Sequence, residues 1–119
     1  MEITASTTAK FDSGHVVKSI LACTRQHGHF YEVTATVTGE LDPELGWPRG
    51  TENLPRDVWD FAKELQGRNL NEMLPGVVTT PVGIALSFME RLALTYRTLS
   101  AVEVRCSDGT SGRVTRQPR

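Results

Sequence analysis

The sequence predicts an α+β domain in which an antiparallel sheet carries its helices on one face. Polar and apolar residues alternate over two long segments in the first third of the chain, two stretches of helical period fill the middle, and alternation returns after Ser100. Strands grouped apart from helices define this class, whereas strictly alternating elements would point to a parallel α/β sheet.

The first strand spans Ile3 to His15. Ile3, Ala5, Thr7, Ala9, Phe11, Ser13 and His15 share one face, and Thr4, Ser6, Thr8, Lys10 and Asp12 make a polar opposite face. The second runs from His27 to Thr38, with His27, His29, Tyr31, Val33, Ala35 and Val37 on its inward side. Gly39 to Gly46, with Asp42-Pro43 inside it, reads as a turn region, and Pro48, Gly50 and Pro55 punctuate a loop into the first helix. There Val58, Phe61, Ala62 and Leu65 form an apolar stripe, Pro55 suits the start and Gly67 the stop. The second helix follows Thr79-Thr80 as N-cap with Pro81 at its first position. Ala85, Phe88, Met89 and Leu92 form its buried stripe, and it is expected to run to about Tyr96. Val102, Val104 and Cys106 then alternate with Glu103, Arg105 and Ser107, and Asp108-Gly109 turns the chain into a short last strand around Arg113 to Thr115. Trp47 and Trp59 are expected as core or interface anchors.

The 119 residues contain 13 Lys and Arg against 14 Asp and Glu, a net charge of −1, which leaves no electrostatic footprint for nucleic acid or a membrane surface. With no repeat and no linker, residues 1–119 read as a single domain, with 113–119 a short basic tail (Arg113, Arg116, Arg119) of no assigned function. A domain of this size has a small core, so a deep site is most readily built between subunits, which leaves oligomerisation open. No apolar run reaches the length of a membrane helix and no signal-peptide pattern begins the chain, so a cytoplasmic location is expected, with Cys23 and Cys106 as free thiols.

All three histidines, His15, His27 and His29, fall on the inward faces of the first two strands. A single strand histidine is ordinarily a satisfied core or surface residue. Two at i and i+2 with a third on the hairpin partner, however, supply three ligands of a tetrahedral zinc and leave the fourth place open, as catalysis requires. Cys23 lies in the loop just before His27. A lone cysteine is usually a small hydrophobe, yet beside zinc and Arg25 its thiolate is favoured and it can act as base or nucleophile. Gly28 either permits close backbone approach or leaves the outer face unfilled.

The pattern Phe11-x3-His15, Cys23-x3-His27-Gly28-His29 and Thr38-Gly39-Glu40-Leu41-Asp42-Pro43-x2-Gly46-Trp47 resembles the 6-pyruvoyl-tetrahydropterin synthases and the bacterial 6-carboxy-tetrahydropterin synthases of queuosine biosynthesis. Leu70-Asn71, Pro75-Gly76 and Leu99-Ser100-Ala101-Val102 extend the resemblance over nearly the whole chain. It implies a tunnelling fold, a ββααββ subunit with a four-stranded antiparallel sheet and two helices on one face. Trimers would close a barrel and stack in pairs as a hexamer, with active sites for a small-molecule substrate between subunits. It further implies Zn2+ on His15, His27 and His29, and Cys23 as the catalytic residue.

Other family positions are changed. The Asp-His pair that activates the cysteine aligns with Gln66 and Gly67, a pocket glutamate with Val82 or Gly83, and the glutamate that grips the pterin ring with Cys106. Gly50-Thr51 stands where the family has Asp-Phe. Charge-assisted hydrogen bonds to a ring are worth about 1.5–3 kcal/mol each, so these losses predict poor pterin binding. The expected function is a zinc-dependent lyase, cyclase or dehydratase acting on an altered or non-pterin hydroxy-ketone, with Cys23 abstracting a proton. One alternative is an orthodox 6-carboxy-tetrahydropterin synthase with replaced pocket acids, for instance Glu103 or Asp108. The other is a non-catalytic, zinc-containing paralogue or assembly subunit. Activation of Cys23 would fall to zinc, Arg25 or an acid such as Asp57, Asp60 or Asp108, although these acids read first as solvated surface charges. Cys106, inward beside Val102 and Val104, reads as core or pocket lining.

Overall fold

A computed structural model describes residues 1–15 and 27–117, and only the backbone of His15 and His27. In chain order it contains β1 (Glu2–His15), β2 (His27–Asp42), β3 (Trp47–Pro48), α1 (Leu54–Leu65), α2 (Leu70–Met73), α3 (Pro81–Ala93), β4 (Leu99–Cys106) and β5 (Ser111–Thr115). The main sheet is antiparallel in the order β1-β2-β4-β5, and β3 pairs with the far end of β2. This is the α+β architecture that the alternating and helical periods predicted.

The register explains why one face is buried. Phe11 pairs with Tyr31 and Ala9 with Val33, while across β2 Tyr31 pairs with Cys106, Val33 with Val104 and Ala35 with Val102. All of these residues are buried under the helices, α1 lying over β1 and α3 over β4 and β5. The predicted stripes Val58, Phe61, Ala62 and Leu65 of α1 and Ala85, Phe88, Met89 and Leu92 of α3 close the core. Phe88 stacks on Phe11 at 6.2 Å and meets Phe61 at 4.4 Å. On the opposite face the polar row remains accessible, with Thr8 and Thr34 sharing a 2.7 Å hydroxyl hydrogen bond.

Several expectations are corrected. β2 does not end at Thr38 but continues to Asp42, because Glu2 and Ile3 pair with Glu40 and Gly39 and β3 covers Leu41 and Asp42 from the other side. Thr80 caps α3 by accepting from the Gly83 N–H at 3.2 Å, as the sequence predicts, but the helix stops at Ala93. Trp59 is not a core residue: it is 50% exposed, with the Lys63 ammonium 4.1 Å above its ring. The basic tail is shorter than expected. Arg113 lies within β5, and Arg116 donates 2.8 Å hydrogen bonds to the carbonyls of Leu99 and Tyr96, which pins the chain past the last strand. Among the described residues, no helix is long and apolar enough to cross a membrane.

Candidate metal and active site

The paired ends of β1 and β2 set the site. The ladder joins His15 to His27, Gly14 to Gly28 and Ser13 to His29, so the three histidine positions occupy two rungs of equal parity, with the Gly14–Gly28 rung between them, at one end of the sheet. The segment that follows α1 is fastened alongside. Gly67 donates to the Asp12 carbonyl at 2.7 Å, Gly14 donates to the Arg68 carbonyl at 3.1 Å, and the buried Ser13 hydroxyl donates to the Leu65 carbonyl. Asp12, Ser13, Gly14, Gly28, His29, Phe30 and Gly67 enclose a cleft of about 320 Å³.

The β4–β5 turn lies against the same end of β2. Phe30 N–H donates to Ser107 Oγ at 3.0 Å and Ser107 N–H donates to the Phe30 carbonyl at 2.9 Å, which locks the turn to β2 beside His29. Within it, Asp108 Oδ1 accepts from the Thr110 N–H at 2.8 Å and from its hydroxyl at 2.6 Å. The other oxygen, Oδ2, lies 3.9 Å from His29 Nε2. The ligand atoms of His29, Cys106 and Asp108 all lie within 4.8 Å of one another. Partial burial acts to raise the Asp108 pKa, but the Thr110 hydrogen bonds, the Cys106 thiol and the positive charge of His29 outweigh it and hold that pKa at about 2. Burial pushes the Cys106 thiol up, and the neighbouring carboxylate adds to the effect. Nitrogen, sulfur and carboxylate donors gathered beside two further histidine positions match the ligand preferences of zinc, so the residues present fit that ion.

Of the residues predicted from sequence, His29 and Cys106 are brought together, and Gly67 lines the cleft. Gln66 turns to Asp12: its amide donates to the Asp12 carboxylate and its carbonyl accepts from the Asp12 N–H at 3.2 Å. Val82 and Gly83 line a different cleft, with Val78, Leu86 and Glu90. A glutamate at position 83 has no room, because its Cβ would lie 1.8 Å from the Val78 carbonyl oxygen. Asp57 accepts from the Tyr96 hydroxyl, Glu103 pairs with Arg105 at 3.1 Å, and Asp60 is exposed. Cys23 and Arg25 lie outside the described residues, as do the side chains of His15 and His27.

Cys106 is buried at the edge of the core and lines a pocket, as expected, and Asp108 is exposed, but the turn also folds that carboxylate back over the end of β4 toward His29. The available signal was Asp108-Gly109, a turn placed two residues beyond an inward cysteine. Gly109, at φ 95°, allows that turn.

An antiparallel sheet backed by helices, with histidines on the paired ends of its first two strands, defines a class of α+β domain built around a potential metal centre. The chain belongs to the 6-pyruvoyl tetrahydropterin synthase family, whose model matches residues 4–117. A 6-pyruvoyl tetrahydropterin synthase from Caenorhabditis elegans superposes with a TM-score of 0.83 at 18% identity, covering 98% of this chain and 97% of the other. An uncharacterized protein from Wolinella succinogenes gives 0.79 at 17% identity (98% and 99% coverage), and the Plasmodium falciparum synthase gives 0.72 at 15% (98% of each chain). These similarities establish the shared fold. Among curated proteins no significant sequence match is found.

Proposed function

We propose that this protein is a zinc-dependent lyase, cyclase or dehydratase of the family, acting in the cytoplasm on a small hydroxy-ketone that is either an altered pterin or not a pterin. His15, His27 and His29 would hold the ion, and the observation that carries the reading is the backbone register, in which all three positions fall on two rungs of equal parity, with Gly14–Gly28 between them, beside the cleft. Bound zinc supplies a Lewis acid that polarises vicinal substrate oxygens. Cys23 takes the proton from the adjacent carbon, and Arg25, two residues on, favours its thiolate. The Ser13, Gly14, Gly28 and Gly67 walls leave space for a small molecule, and the carboxylate in the lining, Asp12, is engaged by the Gln66 amide. This chemistry supports an altered substrate, since no acid stands at Gln66, Gly67, Val82, Gly83 or Cys106 to grip a pterin edge. Assembly as a hexamer of two trimers, with the cleft completed by a neighbouring subunit, belongs to the same proposal.

A second reading, a non-catalytic zinc-containing assembly subunit, is favoured by one observation: Gln66 is committed to Asp12 and has no acid or base function. Mass spectrometry of products separates the readings, using zinc-loaded protein given dihydroneopterin triphosphate or a panel of small hydroxy-ketones, with Cys23→Ala and metal content as controls. Turnover of a hydroxy-ketone that disappears in Cys23→Ala, at one zinc per chain, is expected. Conversion of the pterin that disappears in that variant would instead establish an orthodox 6-carboxy-tetrahydropterin synthase with replaced acids. Zinc without any Cys23-dependent turnover would favour the assembly subunit, and absence of zinc would overturn the metal reading.

A further inference from the structure

We propose that Cys106 and Asp108 are themselves metal ligands, joining His29 in a mixed nitrogen, sulfur and oxygen shell for a zinc-like divalent cation. The inference rests on the zinc reading above only in sharing His29. Tetrahedral zinc with bonds of 2.0–2.3 Å places its ligand atoms about 3.3–3.8 Å apart. His29 Nε2 and Asp108 Oδ2 are already 3.9 Å apart, and the whole trio lies within 4.8 Å, so a side-chain adjustment of about an ångström closes the set.

The surroundings restrict the trio to that orientation. Asp108 Oδ1 is held by both donors of Thr110, which leaves Oδ2 directed at His29. The two hydrogen bonds between Phe30 and Ser107, one of them to the Ser107 hydroxyl, fix the distance from β2 to the turn, and the His29 ring stands edge-on to Tyr31 at 6.1 Å. Cys106 is buried at 8% exposure, and its backbone is tied to Thr110 at 2.8 Å. Cys106 is buried and Asp108 exposed beside it, and a cation between a thiolate and a carboxylate this close removes their mutual repulsion. On ligation the thiol proton passes to solvent. The position that the resemblance assigns to a ring-gripping glutamate thereby becomes a soft metal ligand, and with three protein ligands the ion keeps the same open fourth place as a three-histidine centre.

Cobalt(II) substitution tests this directly. A near-ultraviolet thiolate-to-cobalt absorption is expected in the intact protein, retained in Cys23→Ser and lost in Cys106→Ser. Asp108→Asn keeps the acceptor for Thr110 and is expected to weaken cobalt binding about 10–100-fold. X-ray absorption of zinc-loaded Cys23→Ser needs no change at Cys106, and a sulfur neighbour at about 2.3 Å is expected. A shell of nitrogen and oxygen alone, or a band that survives Cys106→Ser, overturns the proposal. The His27→Ala variant separates the two readings. Loss of metal there with no thiolate band in the parent sinks Cys106 ligation and leaves the histidine centre standing, whereas a Cys106-dependent band that persists in His27→Ala does the reverse.

Discussion

Ser13 shows how one side chain ties the site to the frame. It is buried, faces His29 across the ladder, and its hydroxyl donates to the carbonyl of Leu65, the last residue of α1. That carbonyl also accepts from Arg68 N–H at 3.1 Å, so removing the hydroxyl leaves no orphaned acceptor. Ser13→Ala is therefore expected to lower stability by about 0.5–1.5 kcal/mol, the net worth of one hydrogen bond and not the larger desolvation penalty. Urea unfolding reads this as a shifted midpoint at constant slope, and a loss above about 3 kcal/mol would show that the hydroxyl supports more than the helix end. At this scale the sequence made the histidines legible, because parity alone assigns residues 15, 27 and 29 to one face. It could not reveal the partners of His29. Alternation places Cys106 inward, but the return of Asp108 depends on a turn clamped by the Phe30 backbone against the Ser107 backbone and hydroxyl, and such hydrogen bonds leave no period in the chain.

Between elements, the clearest electrostatic contact joins α1 to the end of α3: the Tyr96 hydroxyl donates to the Asp57 carboxylate. Burial first, and then the hydrogen bond and charge of Asp57, push the Tyr96 pKa well above its ordinary value of 10.0. The sign follows from proton counting. Above about pH 10 the unfolded tyrosine loses its proton while the folded one keeps it, so the native state binds more protons and stability falls as pH rises. Below that pH the contribution is fully present. Denaturation midpoints measured from pH 9 to 11 are expected to decline more steeply for the parent than for Tyr96→Phe, and parallel declines would show that Tyr96 ionises equally in both states. By contrast, the Glu64–Arg91 pair linking the same helices is about half exposed and contributes little. The elements themselves were mostly readable. Thr80 with Pro81 opens α3 and Gly67, at φ 69°, follows α1, as capping and turn chemistry require. Gly39 to Asp42 misled because its turn-like composition is overridden by pairing on both sides, and the four residues of α2 are too few to show a period. The carbonyl against Gly83 is likewise a tertiary contact with no local signature.

For the whole molecule, the decisive feature is that the sheet formed by the described residues stays open. β1 and β5 are its edges, and the 14 and 16 residues of β1 and β2 extend the chain to 49 × 24 × 24 Å. The radius of gyration, 14.9 Å, exceeds the value of about 13.5 Å typical of a compact domain of this length. Exposed edges invite pairing with other chains unless they are protected, and β1 is long and carries only Glu2, Lys10 and Asp12 as charges. Phe30, at 72% exposure, adds apolar surface beside the cleft. In the proposed hexamer, edge-to-edge closure would satisfy both strands at once by setting one subunit's β5 against another's β1, a head-to-tail contact that ends only when the ring closes. With stacking of two rings, light scattering after size exclusion is expected to give a mass near six times 13.1 kDa, falling to half that value if the stacking contact is the first to dissociate on dilution. A mass of one chain across the micromolar range would show that the edges are left unpaired, and the cleft would then have to work with the walls of a single subunit.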